Sequence, residues 1–365
     1  MDINECRNSP GIKDKKETRS KFIACIFLIM LAIISSAQAS SGKIYTEGLK
    51  LSEQDAKMLE KKLKTNPNDM EIRAKLLGYY FHHSSRSSLA RLERQKHILW
   101  IIQNHPESEI AGLPYCHLNP ALDGMAYNEA KDLWLKQVSN NKKNTTIIGN
   151  AADFLVLYDE YLAEELLKEA KAIEPNNPKW QTALANLYTR KMRKEKGKSR
   201  MELAKKSLKE NENAFNSTTD ESERFYLLTD LARNAFDAGD LEKAHKYAED
   251  LLKKSSKYKK NWNYGNAIHH GNQILGRIAL ASGDMGKAKK YLLESANTTG
   301  TPQLNSFGPN MTLAKELLEK GERDIVINYF KICRNFWKMG KKKLRKWADV
   351  VTSGGMPDFG ANLVY

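Results

Sequence analysis

The chain has 365 residues, a formal net charge of +15 and 41% apolar residues, of which 9% of the chain is aromatic. That apolar share excludes a chain disordered throughout, and the length accommodates two ordinary domains or one elongated array. The strong positive charge points to acidic company: an acidic protein, an anionic polymer, a membrane surface or nucleic acid.

Taken from the N-terminus, a basic stretch, KDKKETRSK (13 to 21), precedes an uninterrupted apolar run, FIACIFLIMLAII (22 to 34). Small residues at Ala37 and Ala39 then give the A-x-A pattern of a signal-peptidase cut, so 1–39 is read as a signal peptide. The run is 13 residues long, short of the roughly 20 that span a bilayer as a helix. Cleaved export to the periplasm or outside the cell is therefore expected, with a retained signal-anchor as the alternative and the only expected membrane attachment. The leader holds six Lys/Arg and four Asp/Glu, which leaves the mature chain at +13. Export sets nucleic acid low among partners. Cys116 and Cys333 remain after cleavage, 217 residues apart, either as one disulfide or as two buried thiols.

Residues 50 to 345 carry apolar positions at i, i+3, i+4 and i+7 with almost no strand-like alternation, so the chain is expected to be all-α. An N-terminal helical unit occupies 40–103. Prolines and glycines interrupt 104–145, which is read as an irregular insert, either a loop over a concave face or a linker. The main repeat domain covers 146–347, and 348–365 forms a tail without helix signals, extended or mobile.

The strongest internal signal lies in the second half. ILGRIALASGDMGKAKKYLLESA (274 to 296) repeats the offsets of DLARNAFDAGDLEKAHKYAEDLL (230 to 252): Ala232 matches Gly276, Gly239-Asp240 matches Gly283-Asp284, and Ala244 matches Ala288. A small residue on a first helix admits a second closely, glycine makes the turn, and a second small residue receives the first helix in return. Neither pair hides its apolar face alone, so neighbours must stack. Upstream, PNNPKWQTALANLY supplies Pro175, Trp180, Leu184, Ala185 and Tyr188, and Ala151 precedes Ala185 by 34 residues. In these residues the chain resembles the tetratricopeptide repeat family, over roughly 56 to 345. The resemblance implies a right-handed superhelical α-solenoid of about five to seven helix pairs.

It also implies a groove. In that family the first helix of each pair lines the concave face, and the residue after its small position faces inward; here these are Asn186, Arg233, Arg277 and Lys315, with Arg190, His270 and Gln273 nearby. Such a column suits an acidic segment or a terminal carboxylate, unless its cations pair with Asp/Glu on neighbouring helices.

Other chemistry is sparse. No phosphate-binding Gly-x-x-x-x-Gly-Lys-Ser/Thr loop, His-Glu-x-x-His, Cys-x-x-Cys or Gly-x-Ser-x-Gly occurs. His82-His83, His269-His270 and Cys116-His117 would need ligands from other segments to hold a metal, and neither a metal nor a cofactor is expected. RLERQKHILWII (91 to 102) reads as an amphipathic core helix or, as a minority reading, a membrane-surface helix. Two basic-aromatic runs, KKSSKYKKNWNY (253 to 264) and FWKMGKKKLRKW (336 to 347), are solvated faces with inward aromatics, or stacking sites for an anionic polymer. The expected function is a noncatalytic protein-interaction scaffold of the cell envelope or secreted space; the alternative is a binder or processing enzyme for an anionic cell-surface polymer.

Overall fold

The computed structural model describes residues 43–364, so the expected signal peptide lies outside the described residues. Among the described residues there is no strand, and every helix packs against its neighbour in sequence or close to it. None of these helices is long and apolar enough to cross a membrane. The contacts separate two compact units, meeting in sequence between Pro175 and Asn176.

In the first unit a helical turn over 43–48 leads into α1 (Glu53–Thr65), α2 (Met70–His83), α3 (Ser88–Asn104), α4 (Gly124–Asn140), α5 (Thr145–Leu155) and α6 (Glu160–Ile173). Every start but that of α4 carries a local cap. Ser52 and Asp55 form a reciprocal capping box, and the side chains of Asp69, Ser87, Asn144 and Asp159 accept backbone N–H groups in the first turns of their helices. Within α3, Ile98, Ile101 and Ile102 are buried while Leu89 and Leu92 stay exposed, so this stretch packs as a core helix.

The segment expected to be an irregular insert at 104–145 is irregular only to Asp123. Two short 3-10 turns, Glu109–Gly112 and Pro114–Cys116, precede α4. Ala126, Ala130, Trp134 and Val138 are buried at four-residue spacing along that helix, a pattern masked in sequence by the prolines and glycines crowded before it. The irregular part is held from both sides. Buried Arg94 donates to the carbonyl oxygens of Tyr115 and His117, and Asn150 Nδ2 donates to those of Pro106 and Ser108. Backbone acceptors that a helix would have satisfied thus find side-chain donors.

The second unit contains α7 (Pro178–Met192), α8 (Gly197–Ser217), α9 (Glu221–Asp237), α10 (Leu241–Ser255), α11 (Tyr264–Ala281), α12 (Met285–Ala296), the short α13 (Pro302–Phe307), α14 (Thr312–Glu319), α15 (Arg323–Cys333) and α16 (Lys341–Thr352). Pairs α7/α8, α9/α10, α11/α12 and α14/α15 pack internally; first helices α9, α11 and α14 also touch in succession, as do second helices α12 and α15. This is the arrangement of stacked helix pairs that the repeated offsets require.

The Gly-Asp dipeptides do two jobs. Gly239 and Gly283 have φ of +83° and +81°, and the next N–H reaches back to Ala235 O and Ala279 O, closing the helix end. Asp240 and Asp284 then cap α10 and α12 through their side chains. Gly321-Glu322 repeats the backbone turn at φ +84° without the side-chain cap.

At the C-terminus helix persists to Thr352, beyond the expected boundary at 347, and the segment after it is packed. Phe359 sits against Phe330 and Trp347, Trp347 Nε1 donates to Asp358 O, and Met311 N donates to Asn362 O. The tail covers apolar surface that α15 and α16 would otherwise expose.

Candidate anion-binding face

The small residues of the repeats, Ala185, Ala232 and Gly276, are buried, and the residues that follow them emerge from the packing: Asn186 is exposed, Arg233 and Arg277 half-buried. Lys315, after buried Ala314 on α14, is half-buried as well. The three cations do not form a bare column. Arg277 forks onto Glu316 of α14, with Nε 2.9 and 3.1 Å from the two carboxylate oxygens and Nη2 at 2.8 Å, while its guanidinium lies 4.1 Å from the centre of the Phe236 ring. That bidentate, part-buried geometry makes Arg277 a clamp between α11 and α14. Arg233 pairs with Asp230 at 2.9 Å and Lys315 with Glu319 at 3.6 Å, each within its own helix.

A different grouping emerges instead. The Arg193 guanidinium is held below its ordinary range by burial and then by Arg190 and Arg233. His270 is held well below its ordinary value by burial and then by His269 and Arg233. Arg193, exposed just past the end of α7, therefore feels the charges of Arg190 and of Arg233 on α9, and His270 of α11, uncharged at neutral pH, feels Arg233. Among the described residues the Arg193 guanidinium makes no hydrogen bond or ion pair. Planar guanidinium forks at such a place suit carboxylate or phosphate oxygens through charge-assisted hydrogen bonds. Asp237, at the end of α9, is engaged by Arg200 at 2.8 Å, and Asp230 by Arg233.

Gln273 does not join this face. It is buried, with Nε2 donating to Ser295 Oγ at 2.9 Å and approaching Tyr329 Oη at 3.4 Å. Arg193, Phe236 and Glu316 belong to the arrangement and escape a reading by register alone. Arg193 follows Arg190 by three residues, one helical turn, which is the signal that brings it to the same side.

The remaining clusters resolve into packing. Tyr258 stacks on Phe225 at 4.4 Å, whereas Trp262 is 43% exposed and lies 6.0 Å from Tyr226. Trp337 and Trp347 are 4% and 3% exposed, so the second basic-aromatic run presents its cations and Met339 but neither tryptophan ring. Cys116 and Cys333 are separate buried thiols, and burial pushes Cys116 up to about 12. Among the described residues no three His, Cys, Asp or Glu side chains gather as a metal site would need. No family model matches this chain, and no curated protein matches it.

Proposed function

We propose that the chain is an exported, noncatalytic interaction scaffold of the tetratricopeptide kind, its pairs stacked in a right-handed superhelix, which takes an extended acidic segment of a partner protein across the first helices α7, α9 and α11. The observation that carries this reading is the convergence of Arg190, Arg193 and Arg233 beside neutral His270. Arg233 already holds Asp230, so the like-charge cost that an anionic ligand relieves falls chiefly on Arg193. Asn186, exposed on α7, stands on the same helix as Arg190 and suits a photoreactive substitution. Crosslinking from position 186 in the native cell is expected to attach a polypeptide with an acidic stretch, and Arg193→Glu with Arg233→Glu is expected to abolish that product. An undiminished product in the double variant overturns the proposal.

A second reading rests on Trp262, half-exposed beside Lys259 and Lys260. An exposed ring in a lysine-rich segment suits an anionic sugar polymer. Salt-sensitive retention on an immobilised anionic polysaccharide, lost in Trp262→Ala and kept in the arginine variants, favours this reading over the first.

A further inference from the structure

From Ile325 to Ala348 the chain has eight Lys/Arg and no Asp/Glu. Lys343 alone among them is tied down, donating to Asn362 Oδ1 at 2.9 Å with its ammonium 4.8 Å from the Trp347 ring centre. Lys331, Arg334, Lys338, Lys341, Lys342, Arg345 and Lys346 are exposed, and among the described residues none of their side chains meets a carboxylate. Elsewhere cations such as Lys75, Lys131, Lys243 and Lys289 pair with acids, and what sets the corner apart is seven exposed cations within one stretch that holds no acid. On α16 the positions 341, 342, 345 and 346 cover about 140° of the helix circumference. Leu344, Trp347 and Val351 occupy the opposite side, in the core.

The tip of this surface is apolar. Met339 is 80% exposed, in the turn that joins α15 to α16, with Lys338 before it and Lys341 and Lys342 just beyond Gly340. We propose that the α15–α16 corner is a peripheral docking surface for an anionic phospholipid bilayer, with Met339 entering the acyl boundary and the lysines and arginines holding headgroup phosphates. A cationic ring around one projecting thioether fits a surface that is anionic outside and oily beneath. A dissolved polyanion gives Met339 nothing, and the burial of Trp337 and Trp347 leaves no aromatic platform for bases or sugars to stack on. The buried tryptophans serve the corner differently: Gly308 and Gly340 both abut Trp337 so closely that a Cβ at either would overlap the ring, which fixes the turn that presents Met339.

The test floats the full chain with vesicles of zwitterionic phospholipid or with about one third anionic phospholipid. The basic stretch at 13–21 and the apolar run at 22–34 are common to the parent and every variant, so the change in the ratio between the two vesicle types is read. The ratio is expected to reach about tenfold or more at roughly 0.05 M salt and to approach one by roughly 0.5 M. Reversal of Lys341, Lys342, Arg345 and Lys346 to Glu is expected to remove most of it, Met339→Asp to lower it severalfold, and reversal of Lys61, Lys64, Lys142 and Lys143, equal in net charge, to leave it unchanged. If the fourfold variant at the corner melts below the parent, Lys342→Gln with Lys346→Gln is read in its place. The proposal is overturned if the corner variants keep the ratio, or if the control loses it equally. It is also overturned if vesicles show no preference while an immobilised polyphosphate retains the parent and releases the corner variant. Crosslinking from position 186 should persist in the corner variants, which separates this outcome from failure of the groove.

Discussion

His269, wholly enclosed on α11, shows how one side chain sets a condition for the fold. Asn310 N–H donates to its Nε2 at 2.9 Å, so the proton must sit on Nδ1, which donates to Ser295 O at 2.9 Å. Burial holds its pKa down to about 4, against the Ser295 contact that favours the charged ring. The sign follows from linkage: above the ordinary value of about 6.5 neither state binds the proton, and below it the unfolded chain binds it first. Stability is therefore lost as pH falls from about 6.5 toward about 4, by up to roughly 3 kcal/mol. Denaturant titrations at pH 7 and pH 4.5 should show this loss, and His269→Gln should reduce it, the neighbouring His270, also held down by burial, keeping a loss of the same sign. Arg277 offers a second residue-scale expectation. Removing it in Arg277→Ala strands Glu316 and uncovers Phe236, so thermal unfolding should report a loss of about 1–3 kcal/mol. The same variant should leave capture from position 186 intact, because Arg277 is a clamp and the proposed ligand site lies with Arg193 and Arg233.

At the scale of helices and turns, two glycines separated by seven residues are needed for different reasons. Gly283 has open space where a Cβ would go but sits at φ +81°, so only its backbone conformation demands glycine. Gly276 lies within α11, where a Cβ would meet Leu313 Cδ2 at 2.3 Å and Tyr291 Cβ at 3.1 Å. Gly283→Ala should cost about 1–2 kcal/mol and Gly283→Asn distinctly less, since Asn tolerates the left-handed region. At Gly276 the order differs: Val, which adds bulk, should cost about 1–3 kcal/mol or more, and Asn should rescue nothing. Equilibrium unfolding of these variants distinguishes conformational strain from overpacking. Both glycines were legible from the matching offsets at 230 and 274, because turn and close approach are local demands. The helix Gly124–Asn140 was not: its buried face of Ala126, Ala130, Trp134 and Val138 becomes recognisable only when α3 and α5 supply the surface it covers.

For the whole molecule, charge and cores divide the work. In the second unit one apolar cluster runs from Met192 through Phe225 and Leu251 to Leu275, and another from Ala279 through Tyr329 to Phe359. Both lie within residues 176–365, and stacked pairs draw their stability from nearest neighbours. Residues 176–365 expressed alone should thus retain helical circular dichroism and unfold cooperatively, with loss of Phe359 and Asn362 by truncation at 352 lowering its midpoint. By itself the sequence determined the helical class, the paired repeats with their Gly-Asp turns, and the accumulation of positive charge, because periodicity, left-handed turns and net charge are carried by residues close in the chain. Tertiary structure decided which cations are spent on Glu316, Asp230 and Glu319, that Gln273 turns into the core, that Arg193 joins Arg190 and Arg233, and that the tryptophans of 336–347 are buried while Met339 projects. The pairs of Arg233 with Asp230 and of Lys315 with Glu319 lie within one helical turn, but Glu316 is 39 residues from Arg277, and a pairing between distant side chains exists only once the helices between them have packed.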